Sequence, residues 1–254
     1  MSKIISVISG KGGVGKTTVV SNLGSALTKH GKNVVIIDGN LTTPNLSLHL
    51  GIPFYPVTLH DALRNDMPIE SAIYNHHSGL KVIPASLSIE SLEGVDLDRM
   101  EEAMSGLLNS TDIIIVDSAA GLGKEAMAAM NVADELLIVT NPDLPAVTDA
   151  LKTIRVAQRN GKKIMGVVVN RVRGLKHEMS IDEIRSMLEV PIISLIPEDI
   201  SVPKSIARKI PVVHHKPKSK SSVEFQKLAL KIIGEPWRKI EKRAWWERLF
   251  FWLD

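Results

Sequence analysis

Cysteine is absent from the chain, so no iron–sulfur cluster or zinc clasp held by thiolates is available to it. Aromatic residues are scarce, at 4% of the sequence, and tyrosine occurs only at Tyr55 and Tyr74. No apolar run reaches the length that spans a bilayer. No basic and then apolar leader precedes the first expected strand at Lys3, so a cytoplasmic protein is expected. Histidine lacks the i,i+4 spacing of a helical metal site: His76-His77 and His214-His215 are adjacent pairs in polar stretches, expected to be loops. Charge of one sign is in small excess, with a formal net charge of +3. Its distribution is uneven. Lys204, Arg208, Lys209, Lys216, Lys218 and Lys220 lie close together, and Arg238, Lys239, Lys242, Arg243 and Arg248 follow. Such clusters suit an anionic membrane, a nucleic acid or a plain solvated face.

What is present is enough for one large domain with a buried core, since the chain has 254 residues. Apolar, β-branched runs recur at Ile4–Ile8, Asn33–Asp38, Leu80–Pro84, Asp112–Asp117, Glu135–Thr140, Lys163–Asn170 and Pro191–Pro197. Helical patterns separate them, at Thr17–His30, Val95–Leu108, Lys124–Asn131, Ala146–Asn160, Ile181–Leu188 and Ser222–Ile233. Near-continuous apolar strands alternating with helices predict an α/β fold: a mainly parallel, twisted sheet covered by helices on both faces. A break at Gly234-Glu235-Pro236 divides a body, residues 1–234, from an aromatic tail, residues 235–254.

The motif richest in chemistry is Gly10-Lys11-Gly12-Gly13-Val14-Gly15-Lys16-Thr17-Thr18, which fills G-x-x-x-x-G-K-[ST] between a strand and a helix. Unpaired amides and a helix dipole converge there, and glycines let the backbone close around phosphate. Lys16 can reach the terminal phosphates, and the Thr17 hydroxyl can ligate Mg²⁺. A nucleotide and Mg²⁺ are therefore expected, in a three-layer P-loop NTPase fold.

The added Lys11 makes K-G-G-x-G-K-T-T, which resembles the MinD/ParA family of deviant P-loop ATPases, archaeal MinD-like proteins above all. The resemblance implies that Lys11 crosses a homodimer interface to the partner's ATP. It extends along the whole body. Asp38-Gly39-Asn40-Leu41-Thr42-Thr43-Pro44-Asn45-Leu46 resembles the first switch, making Asp38 and Asn40 catalytic candidates beside Lys11 and Lys16. Ile113 to Leu122 resembles the second acidic strand end and second switch, with Asp117 toward Mg²⁺ and Gly121 toward the nucleotide. Asn170-Arg171 resembles the base-reading element, and Pro197-Glu198-Asp199 the loop that closes over the base. Thr140-Asn141-Pro142 and Asp149 fall where MinD proteins build part of the dimer face. One position departs from the family: Asn40 stands where an aspartate usually orients the attacking water. An amide takes no proton at neutral pH, so slow hydrolysis is expected, unless Asp38 takes over water activation.

All four tryptophans, Trp237, Trp245, Trp246 and Trp252, lie beyond the Gly/Pro break. On a helical wheel Trp245, Trp246, Leu249, Phe250, Trp252 and Leu253 share roughly one half, with basic residues around them. This matches an interfacial helix and resembles the short C-terminal membrane-targeting helix of MinD. A terminal helix packed on the body and a partner-binding tail are the competing readings. Doubling the tail in an ATP dimer would raise membrane avidity without new contacts.

Together these features predict a MinD-type switch that dimerises on ATP, visits the membrane and positions an unidentified cargo or activator protein. Two alternatives share the loop. A ParA-type partition ATPase would bind DNA non-specifically through the Lys204–Lys220 cluster. A metallocenter-maturation ATPase is disfavoured by the missing cysteines, and the tyrosine-kinase relatives by the missing tyrosine cluster.

Overall fold

The computed structural model describes residues 2–52 and 54–237. The tail residues Trp245, Trp246, Leu249, Phe250, Trp252 and Leu253 lie outside the described residues.

The strands are β1 (Lys3–Ser9), β2 (Val34–Gly39), β3 (Tyr74–Asn75), β4 (Lys81–Ile83), β5 (Ile113–Ala120), β6 (Glu135–Thr140), β7 (Lys163–Val172) and β8 (Ile192–Pro197). They form one sheet in the order β3-β4-β2-β5-β1-β6-β7-β8. Among the described residues only the short β3 runs antiparallel to its neighbour. The central strands are buried along most of their length, as a sheet covered on both faces requires.

The helices are α1 (Lys16–Lys29), α2 (Leu46–Leu50), α3 (Leu59–Leu63), α4 (Met100–Ser105), α5 (Lys124–Asn131), α6 (Leu144–Arg159), α7 (Ile181–Leu188), α8 (Ser201–Ala207), α9 (Val212–His215) and α10 (Lys220–Ile232). Several starts are legible in sequence. Asp143 caps α6 by accepting from the Ala146 amide at 3.0 Å. Ser180 and Glu183 form a reciprocal capping box on α7. Two cores result. α1, α2, α9 and α10 bury Leu23, Leu46, Val212 and Phe225 against one face of the sheet. α3 to α7 bury Leu63, Met104, Ala129, Ile154 and Ile184 against the other.

The structure corrects two expectations. Val95–Leu108 is not one helix: a 3₁₀ turn at Leu97–Arg99 leads into the short α4. Asp96 caps that turn by accepting from the Asp98 amide at 3.0 Å, and the chain beyond α4 continues in i→i+3 turns around Gly106. Local side-chain bonding and a glycine outcompete the apolar period of Met100, Met104 and Leu107. His76-His77 do lie in a loop, the turn after β3, but His214-His215 do not. His76 is buried, its Nε2 3.0 Å from the Leu50 carbonyl, and His214 lies in α9. The pairs are close enough for His76 and His77 to help hold His214 below the usual histidine range, although burial is the main cause.

β1 stands between β5 and β6, and the connection after β1 runs toward the β3 edge of the sheet while the connection after β6 runs toward the β8 edge. In open α/β sheets ligands bind at the carboxyl ends of strands beside such a point. The loop Gly10–Gly15 occupies that position.

Candidate nucleotide site

Gly15 precedes α1 with φ +95°, and a Cβ there would stand 2.3 Å from the Asn170 amide nitrogen. At Gly10 a Cβ would meet the Asp149 carbonyl oxygen at 2.2 Å. Close approach of neighbouring elements therefore demands both glycines. Among the described residues no side chain caps the N-terminus of α1, so its first-turn amides face the cradle formed by the loop. Val14 is buried beneath it.

Two asparagines brace this loop from outside. Asn170 donates its side-chain amide to the Val14 carbonyl at 2.8 Å. Asn141 donates to the same carbonyl at 3.3 Å and to the Asn170 carbonyl at 2.9 Å. Sequence reasoning assigned Asn170 to the base and Asn141 to the dimer face, and missed their bracing of the loop. Their places at the ends of β7 and β6 were the available signal.

The two lysines of the loop differ in environment. Lys16 is 9% exposed, and its ammonium donates to Ser9 Oγ at 2.9 Å. Burial pulls its pKa below the usual lysine value, and Asp117 opposes that shift. The Lys11 side chain is half exposed, with Asp143 as its ion-pair partner at 3.7 Å.

β2 and β5 are in register at Asp38 and Asp117, which sets two carboxylates side by side under the loop. Both are buried. Burial, then repulsion from Asp117, pushes the Asp38 pKa up to about 8, against hydrogen bonds from the Leu46, Asn40 and Asn45 amides. Burial also pushes Asp117 up, to about 6, while the Thr17 hydroxyl and Lys16 pull it down. Asp117 Oδ1 has no hydrogen-bond partner among the described residues. An orphaned buried carboxylate oxygen beside a threonine hydroxyl is a hard-oxygen donor set that fits Mg²⁺.

A cavity of about 380 Å³ opens over the loop, lined by Gly12, Gly13, Gly15, Lys16, Thr17 and Thr18, with Asn40, Thr43 and His49 across from them. A narrower slot of about 140 Å³ continues past Thr18 between Asn170, Arg171, Pro197, Glu198 and Asp199, with Phe225 among its walls. Arg171 lines both. His49 and Phe225 carried no motif that sequence reasoning could have used.

Three predicted residues are otherwise engaged. Gly121 donates its amide to the Ser9 carbonyl at 2.9 Å. Asp199 accepts from the Ser201 amide at 2.8 Å and the Ser221 hydroxyl at 2.9 Å, which ties the loop after β8 to the start of α10. Asn40 closes on Thr43, donating to its carbonyl at 2.5 Å and accepting from its hydroxyl at 3.1 Å.

Residues 5–212 match the CobQ/CobB/MinD/ParA nucleotide binding domain family. The chain belongs to this family. It is 39% identical over 234 residues to an uncharacterized ATP-binding protein of Methanocaldococcus jannaschii, covering 92% of this chain and 89% of that protein. Among solved structures, the septum site-determining protein MinD of Pyrococcus horikoshii, complexed with Mg-ADP, superposes with a TM-score of 0.87 at 37% identity. That match covers 91% of this chain and 96% of the other. A MinC:MinD cell division protein complex of Aquifex aeolicus gives a TM-score of 0.84 at 30% identity, covering 94% and 99%. A MinD/ParA-type P-loop fold thus holds the cradle, the paired aspartates and the slot at one sheet edge.

Proposed function

We propose that this chain is a MinD-type ATPase. It binds ATP with Mg²⁺, dimerises, attaches reversibly from the cytoplasm to an anionic membrane surface through its tail, and positions a partner protein or cellular machine. The observation that carries this reading is the division of labour between the two loop lysines: Lys16 is buried inside the cradle, while Lys11 stands half exposed outside it. A lysine so placed is available to a second protomer's nucleotide.

In this reading the amides of Gly10, Lys11, Gly12, Gly13, Val14 and Gly15, with Lys16 and Thr18, surround the phosphates. Thr17 and Asp117 hold Mg²⁺, which supplies charge neutralisation across the terminal phosphates. Asn170, Arg171, Pro197 and Glu198 border the base, Asp199 fixes their loop, and Gly121 reaches the nucleotide once its bond to Ser9 is released. Asp38 is buried with three switch amides on its carboxylate, which favours a role in shaping the first switch over contact with water.

Asn40 then sets the rate. Its carboxamide cannot accept a proton and is held by Thr43, so the attacking water is positioned by a weaker group. Asn40→Asp is expected to raise the single-turnover rate of ATP hydrolysis by about tenfold. An unchanged rate combined with an inactive Asp38→Ala would move water activation to Asp38.

The whole reading is tested by co-sedimentation with anionic liposomes and with DNA, with and without ATP. The full chain is expected to pellet with liposomes only when ATP is present, and a truncation after Gly234 to remain in the supernatant. Lys11→Ala should keep nucleotide affinity yet remain monomeric with ATP. The basic cluster from Lys204 to Lys220 is exposed, which keeps DNA as the second reading. ATP-dependent pelleting with DNA that collapses as salt rises would select that reading instead.

A further inference from the structure

The first switch is held by backbone amides. From Asn40 to Leu46, every amide except that of Thr43 (Pro44 has none) is given to one of two carboxylates. Asp38 accepts from Asn40 at 3.3 Å, Asn45 at 3.1 Å and Leu46 at 2.9 Å. Glu125 accepts from Leu41 at 3.0 Å and Thr42 at 3.2 Å, and also from the Thr42 hydroxyl. Asp38 belongs to the strand that leads into the switch. Glu125 does not: it stands in the first turn of α5, more than eighty residues away, and grips the loop from outside.

The position of Glu125 on α5 gives that grip a consequence. α5 starts at Lys124, directly after the Gly121-Leu122-Gly123 turn of the second switch, whose Gly121 amide is bonded to the Ser9 carbonyl. The hydroxyl of the same Ser9 accepts from Lys16. A short path therefore runs from the cradle lysine through Ser9 and Gly121 to the start of α5, and from Glu125 to Leu41 and Thr42. Asn40 is the next residue, and its side chain lines the phosphate cavity. A phosphate that competed for Lys16 and Gly121 would act on the start of α5, and the two charge-assisted bonds of Glu125 lie between that point and the first switch.

We propose that Glu125 is a positioning residue that carries the state of the second switch to the first and so sets where Asn40 stands during ATP hydrolysis. The inference rests on the ATPase reading above. It assigns Glu125 no contact with nucleotide. Glutamine at this position keeps one acceptor oxygen and loses the second, so Glu125→Gln weakens the link while preserving volume, and Glu125→Ala removes it.

The test compares the full-length wild type with both variants in three measurements: calorimetric binding of a non-hydrolysable ATP analogue with Mg²⁺, single-turnover ATP hydrolysis, and amide hydrogen exchange across residues 40–43. Analogue affinity is expected to stay within about threefold in both variants, while hydrolysis falls by about tenfold in Glu125→Ala and less in Glu125→Gln. Exchange at Leu41 and Thr42 should accelerate in the same order, with β2 and α5 unchanged. Wild-type hydrolysis by both variants, or parallel loss of analogue binding and hydrolysis, overturns the proposal. If Glu125→Ala does not fold, Glu125→Gln decides by the same split. A wild type that binds no ATP analogue refutes the ATPase reading instead; unchanged exchange at Leu41 and Thr42 in the variants refutes the clasp on its own.

Discussion

Replacing Lys16 by alanine is expected to weaken ATP affinity by at least about a hundredfold, since charge-assisted hydrogen bonds to phosphate contribute roughly 1.5–3 kcal/mol each. The ammonium is buried in the cradle and donates to Ser9 Oγ, so the fold itself supplies much of the desolvation that pairing with phosphate requires. Loss of the lysine removes this attraction and leaves the cradle amides to hold the anion alone. The fold should persist, because Asn141 and Asn170 still brace the loop at Val14. Isothermal titration of ATP and Mg²⁺, with circular dichroism as the control, checks both parts. The contrast with Lys11→Ala is diagnostic: equal losses in the two variants would count against an action of Lys11 across a dimer interface.

The second large effect concerns the carboxylate pair. Asp117→Asn is expected to make the nucleotide-free protein more stable while eliminating the Mg²⁺ dependence of nucleotide binding. Both carboxyl groups have folded-state pKa values above the ordinary aspartate value, Asp38 at about 8 and Asp117 at about 6, mainly through burial. Folding therefore takes up protons at these sites. Their stability contribution is complete below the unfolded value, near pH 4, and is lost as pH rises through 6 and then 8. A neutral amide at position 117 removes one buried charge and its repulsion of Asp38. At pH 8 the expected gain is roughly 2 kcal/mol, or about 4–8 °C in melting temperature for a domain of this size.

The histidines supply the opposite slope. Burial lowers the pKa of His49, His60, His76 and His214, so their stability is present above about pH 6.5 and lost as pH falls through their folded-state values. Comparing wild type and Asp117→Asn by thermal melts between pH 5 and 9 separates the two arms, because only the alkaline one should flatten. A variant no more stable than wild type at pH 8 would show that the carboxylate pair carries no strain. Buried charge held at a site proposed to take a cation is the usual exchange of stability for function.

Much of this site was legible in the chain because its signals are local. The glycine loop, the lysine and threonine after it, and the apolar strand that delivers Asp117 are each contained within about ten residues. The same holds for the capping box of α7 and for the end of α10, beyond which Gly234 adopts φ +73°. Where a local rule competed with another local rule, the reading was less secure. The apolar period over 95–108 was genuine, but Asp96 and Gly106 favoured turns.

The sequence by itself carried the parallel α/β architecture and the phosphate cradle, because backbone geometry and hydrophobic period are written in neighbouring residues, while the family was legible through the resemblance of its motifs. Only the tertiary structure decided which distant groups meet. Sheet order places β5 beside β2 and so sets Asp38 against Asp117. The packing of α5 on that sheet brings Glu125 to Leu41 and Thr42. The ends of β6 and β7 aim Asn141 and Asn170 at the carbonyl of Val14. Those hydrogen bonds join residues far apart in the chain, and their geometry depends on strand order and helix packing, which no local pattern specifies.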